Sequence, residues 1–113
     1  MRNRYYIRLP EPAALAAAGE FAFRSHGADG IAEELQAALR TDALFRRWAA
    51  TQGDPDEIDT ALAAVDPEAT VTGEQHDLHI ELVAVTGLAG TTFKHRLQLL
   101  AGRGWQLRDV TAA

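Results

Sequence analysis

The sequence contains no cysteine, a single methionine and few aromatic residues, 7% in all. Without cysteine there is no disulfide framework, no thiolate nucleophile and no cysteine-ligated zinc. The same absence is in keeping with a reducing compartment. Long apolar runs are missing too. The longest, "PAALAAAG", is far too short to span a bilayer. The N-terminus "MRNRYYIRLPEP" has arginines but no apolar core of signal-peptide length. A cytoplasmic protein with no membrane partner is therefore the expectation. The last absence is of one charge sign. Residues 51–92 hold nine acids and no lysine or arginine, so this window carries −9 and the rest of the chain +4. The overall net charge of −5 disfavours generic nucleic-acid binding. The uneven distribution suits a solubilising acidic face, or a dipole that orients self-association or docks a protein with a basic surface.

What is present fits one domain. The chain has 113 residues, of which 47% are hydrophobic. That length buries roughly two-thirds of the unfolded surface, enough for one core. Many apolar positions are alanine, so Phe21, Phe23, Phe45, Trp48, Phe93, Trp105 and the leucines must anchor the packing.

"NRYYIRLP" alternates, with Tyr5, Ile7 and Leu9 on one side and Arg4, Tyr6 and Arg8 on the other. Its β-branched and aromatic residues predict a strand that Pro10 and Pro12 end. The alanine-rich stretch that follows is ambiguous, with Phe21 and Phe23 spaced as in a short strand. From Asp29 the period becomes helical: Ile31, Leu35 and Leu39 recur at i, i+4, i+8. A second helix starts behind Thr41 or Asp42, with Leu44 and Trp48 as its stripe and Arg46 and Arg47 in water. "GDPDEIDTALAAVDP" has Asp54 as N-cap, Pro55 at N1 and Glu57 at N3. These signals predict a third helix burying Ile58, Leu62 and Val65, stopped by Asp66-Pro67. Period two returns in "EATVTGEQHDLHIELVAVTG". Antiparallel strands at 69–73 and 77–86 are expected around a polar turn, with Leu78, Ile80, Leu82 and Ala84 facing the core. A last helix, capped by Thr91 or Thr92, buries Phe93, Leu97 and Leu100. "WQLRDV" is the final strand, with Trp105 and Leu107 inward.

These elements predict an α+β domain over residues 1–113. It has a mostly antiparallel sheet of 4–5 strands, with 3–4 helices packed mainly on one face. Counting the internal helices as one extended crossover gives βαββαβ, a ferredoxin-like (split βαβ) variant.

Candidate sites follow from the same periodicity. His79 and Glu81 share a strand face, and His76 and Asp77 sit at the turn with no fixed partner. Zinc ligation by His76, His79 and Glu81 needs a further ligand such as His95 or His26. General acid–base use of His79 with Glu81 needs burial or a shifted pKa. Arg4, Tyr6 and Arg8, with Arg108, would suit single-stranded nucleic acid, which takes a stacking ring between phosphate-binding cations. "YYIRLP" is similar to the first-strand motif of RNA-recognition domains. "LHIELVAV" lacks the basic, glycine and paired-aromatic pattern of their third strand, so no family is assigned. Lys94, His95 and Arg96 are expected on the wet side of their helix. "TGLAGTT" lacks the lysine of a phosphate loop and the third glycine of a dinucleotide fingerprint. Ser25 and His26 are adjacent in sequence, which does not make a catalytic triad.

The leading expectation is a non-enzymatic interaction or assembly module without a cofactor. It is expected to be a homodimer, and Arg4, Tyr6, Arg8, His79, Glu81 and Arg108 are expected to form a ligand or partner surface. A nucleic-acid-binding module comes second. A small metal-binding protein or enzyme using the His76/His79 hairpin comes third.

Overall fold

The alternation in "NRYYIRL" makes the strand β1 (Asn3–Leu9), and its parity decides what lies inside. Tyr5, Ile7 and Leu9 are buried, while Arg4, Tyr6 and Arg8 between them are only half-buried. The computed structural model, which describes residues 2–10 and 19–113, continues with α1 (Ala28–Arg40) and α2 (Ala43–Ala49). Two 3₁₀ turns (Pro55–Glu57 and Thr60–Ala63), β2 (Thr70–Gln75) and β3 (Ile80–Thr86) follow. The chain ends with α3 (Gly90–Ala101) and β4 (Gln106–Ala112). Among the described residues it is an α+β fold with a four-stranded antiparallel sheet and three α-helices.

The strand order is β2-β3-β1-β4, and every neighbouring pair is antiparallel. β1 and β2 therefore run in the same direction with β3 between them, and the helical segment makes the crossover. On the β4 side the register slips at Tyr6/Ile7: Tyr6 pairs with Asp109 and Ile7 with Leu107. Arg108 is the extra residue of this bulge.

The large buried residues of α1 and α3 meet one sheet face. Ile31, Leu35 and Leu39 of α1 and Phe93, Leu97 and Leu100 of α3 join Tyr5, Ile7, Leu9, Ile80, Leu82 and Ala84 in one core. Phe93 stacks on the Tyr5 ring at 4.2 Å between centroids. α1 lies close to β2, and Gly73 permits the approach: a Cβ there would stand 2.5 Å from the Ala28 carbonyl oxygen. Gln36 of α1 accepts a hydrogen bond from the Val71 N–H at 3.0 Å. That bond occupies a donor on the edge strand which no neighbouring strand uses.

Several expectations fail for identifiable reasons. The helix expected from Asp54 is two separate turns. Asp54 caps the first by accepting from the Asp56 N–H, but Asp59 accepts from the Ala61 N–H and starts another. An aspartate inside a would-be helix offers the backbone a local partner and breaks the run. Val65, expected in the core, is 41% exposed. Phe21 and Phe23 form no strand, although the Phe23 side chain is buried and its N–H donates to the Leu100 carbonyl. The alanine-rich segment at 11–18 lies outside the described residues. Leu78 belongs to the turn rather than to β3, and is 72% exposed. Leu107 is also partly exposed, whereas Trp105 packs against the core. Helix caps differ too: α1 begins behind Gly27 and α3 behind Ala89, neither with a side-chain cap.

The largest departure is Arg96. Expected in water, it has no exposed surface. Its Nη1 donates to the carbonyls of Ala38 (2.6 Å) and Thr41 (3.4 Å), and its Nη2 to those of Leu62 (2.8 Å) and Ala64 (2.6 Å). One guanidinium thus satisfies carbonyls at the end of α1 and at the end of the second 3₁₀ turn, which otherwise have no helical partner. A cation at a helix C-terminus also matches the dipole. Burial pulls the Arg96 pKa below its ordinary value, with Asp42 acting in the opposite direction.

Asp66 is a second buried charge. Its carboxylate accepts from the Thr86 hydroxyl (2.9 Å) and from the N–H groups of Gly87 (2.9 Å) and Glu68 (3.1 Å), and pairs with Arg2 at 3.1 Å. Burial by itself would raise its pKa. The Gly87, Thr86, Glu68 and Arg2 hydrogen bonds outweigh that and hold the carboxyl at about 2. Among the described residues no helix is long and apolar enough to cross a membrane.

Candidate functional site

The sheet face opposite the helices carries the residues of the other parity, and register arranges them in three rows. Thr70, Val85, Arg4 and Thr111 form the first row; Thr72, Val83, Tyr6 and Asp109 the second; Glu74, Glu81, Arg8 and Gln106 the third. The middle of the face is thus Tyr6, Val83 and Val85, and its ends are polar. These central side chains are half-buried by their neighbours in the sheet, and no described element lies over them. Arg4, Tyr6 and Arg8 stand where alternation puts them. Arg8 faces Glu81 across the strand pair, Nη2 to Oε1 at 3.5 Å. A shallow groove of about 300 Å³ runs along the β1 side, lined by Tyr6, Arg8, Glu81, Val83, Arg108 and Asp109. The bulge at Arg108 brings that residue to the groove, which strand parity from the sequence could not reveal.

A second feature sits where the third row meets the β2–β3 turn. Register pairs Gln75 with Ile80, leaving residues 76–79 as the loop. The Gln75 side-chain amide donates to the carbonyls of His76 (2.7 Å) and His79 (3.3 Å). The His76 N–H also donates to the His79 carbonyl at 2.9 Å. So pinned, the two imidazoles stack at 4.9 Å with planes 9° apart. His79 Nε2 lies 3.2 Å from Glu81 Oε1, and His76 Nε2 lies 3.3 Å from Glu81 Oε2. The His79 hydrogen bond is the main influence on the Glu81 carboxyl. Desolvation opposes it, the electrostatic effect of His76 and the Arg8 hydrogen bond add to it, and the net effect is a pKa below the ordinary value.

His76 therefore has a fixed place, contrary to the sequence expectation. The missed signal is the turn itself, because folding residues 76–79 back toward Glu81 depends on Gln75 crossing the loop. His95 does not join the cluster. It lies on the helical side, edge-on to Trp48 at 4.4 Å, and burial followed by the Arg96 charge lowers its pKa. His26 is exposed in the loop before α1, where Glu34 accepts from the Arg24 and Ser25 N–H groups. No family model matches the chain, and no match was found among curated proteins or solved structures.

Proposed function

We propose that the chain is a non-enzymatic assembly module that pairs with a second copy of itself through the open face of the sheet. The observation that carries this reading is a face that no described element covers, with an apolar centre and an ion pair placed to exchange between copies. A two-fold axis running along the strands between β1 and β3 would set β1 of each copy against β3 of the other. Val83 would then meet Tyr6 of the partner subunit, and Glu81 would meet Arg8 of the partner subunit. Such an isologous contact repeats the same complementary pairs on both sides of the axis. An axis across the strands would instead oppose Arg4 to Arg8 of the partner subunit, which like charge disfavours. Two sheets facing in this way pack with their strands nearly aligned.

The size of the face sets the strength. Four strands of this length span roughly 20 by 20 Å, about half of the ~800 Å² that each partner buries in a standard interface. Association is accordingly weak and concentration-dependent. The strand order and helical crossover support the finer reading of the fold as a ferredoxin-like split βαβ arrangement, in which the 55–63 turns elaborate the crossover. The acids Glu74, Glu81 and Asp109 share the face with Arg4 and Arg8, which disfavours the nucleic-acid reading.

Sedimentation equilibrium over a wide concentration range tests the proposal. The native chain should approach dimer mass as concentration rises, and Val83→Lys should remain monomeric with an unchanged circular dichroism spectrum. A native chain that stays monomeric at the highest concentration reached overturns it.

A further inference from the structure

We propose that His76, His79 and Glu81 form a binding site for one divalent first-row transition ion, of which zinc is the reference case. One potential ligand atom from each residue lies within 4.8 Å of the other two. Ligands on metal bonds of about 2.05 Å at tetrahedral angles stand about 3.3 Å apart. Each imidazole already stands at that spacing from one oxygen of the shared carboxylate, His79 Nε2 at 3.2 Å from Glu81 Oε1 and His76 Nε2 at 3.3 Å from Glu81 Oε2. With all three ligand atoms within 4.8 Å of one another, small rotations of the two rings and the carboxylate would bring them onto one ion.

The His76 nitrogen points to the same ligand independently. It is buried as an atom and has no hydrogen-bond partner, because its contact with Glu81 lacks the alignment of a hydrogen bond. Such a group is ordinarily paired. An ion at the Nε2 edge of the rings would occupy its lone pair and share the Glu81 carboxylate. The turn that carries both histidines is already braced by Gln75.

The donor set selects the class of ion. Two imidazoles with one carboxylate suit zinc and its transition-metal neighbours, whereas calcium and magnesium prefer oxygen ligands throughout. Three protein ligands leave at least one position for water, and the turn opens to solvent through a depression lined by Gln75, Asp77 and Leu78. Arg8 is the competing cation, with Nη2 3.5 Å from the same carboxylate. Both partners are partly exposed, so the guanidinium can swing into water when the ion arrives. Removing that competitor should strengthen binding. The site needs only one chain and stands or falls separately from the dimer.

The test is zinc titration of the chelator-stripped full chain at a dilution where it is monomeric. It is followed by calorimetry and by ¹⁵N spectra of the histidine side chains. One zinc per chain is expected, with the ring nitrogens of His76 and His79 shifting while those of His26 and His95 stay in place. His76→Ala and His79→Ala should each weaken binding by about tenfold or more, as loss of a ligand should exceed the loss of a supporting contact. Arg8→Gln should bind more tightly than the native chain, and His95→Ala should match it. Unmoved His76 and His79 resonances at saturating zinc overturn the proposal, and need no variant to be folded. Native affinity in a His76→Ala/His79→Ala double variant overturns it as well.

Discussion

The two faces of one sheet have opposite fates. On the helical face every inward side chain of β1 is at most 4% exposed, and even the charged Arg96 is drawn in, with four carbonyls accepting from its Nη atoms. On the open face the same strand leaves Arg4, Tyr6 and Arg8 half-buried beside Val83 and Val85. The chemistry of the two side-chain sets differs less than their company does. Arg96 is buried because four carbonyls converge on it, and Arg8 stays accessible because it has a single carboxylate at 3.5 Å. On the covered face the polar groups serve stability, and on the open face they stay accessible.

The sharpest way to break the contrast is at Arg96. Replacing it with methionine keeps much of the volume but leaves several buried carbonyls without donors. Unfolding in urea should show a loss on the order of 3–5 kcal/mol. Arg96→Lys should recover only part of it, since a single ammonium cannot reproduce the two-pronged geometry.

Asp66 comes next. Its carboxyl is held at about 2 in the folded chain, below the ordinary 3.8, so the folded state binds this proton less readily than the unfolded state. The stabilisation is present above about pH 4 and disappears as pH falls from there toward 2. It amounts to about 2 kcal/mol, because each tenfold change in proton affinity is worth about 1.4 kcal/mol. Asp66→Asn should lose that stability at neutral pH, and its denaturation midpoint should change less than that of the native chain between pH 4 and 2. The smallest effect on folding belongs to the open face. Val83→Lys should alter unfolding free energy by no more than about 1 kcal/mol, the span of strand propensity, while removing self-association. A large loss of stability at Val83 would mean that the face is part of the core after all, and the contrast would fail.

One face of the sheet was much easier to read from the sequence than the features around it. Tyr5, Ile7 and Leu9 alternate with Arg4, Tyr6 and Arg8, and the strand follows that parity without exception. Arg96 was legible too, had its spacing outweighed its charge. It lies three residues after Phe93 and four before Leu100, inside the apolar stripe of α3. What could not be read locally were features made by distant partners. The four carbonyls that hold Arg96 come from the end of α1, the residue just after it, and residues 62–64. The donors that hold Asp66 come from residues as far apart as Arg2 and Gly87. The His76–Glu81 approach depends on one glutamine crossing a turn, and Leu78 lost its expected core position to the same turn. Between Asp54 and Asp66, local capping signals were real, but two aspartates each started their own short turn.

The open face as a self-recognition surface is most directly tested by isotope-filtered nuclear Overhauser spectroscopy on a mixture of labelled and unlabelled chains at high concentration. Pairing through this face should give intermolecular contacts between the Tyr6 ring of one chain and the Val83 methyl groups of the other. Intermolecular contacts confined to the helices, or none at a concentration where the chain is dimeric, would contradict it.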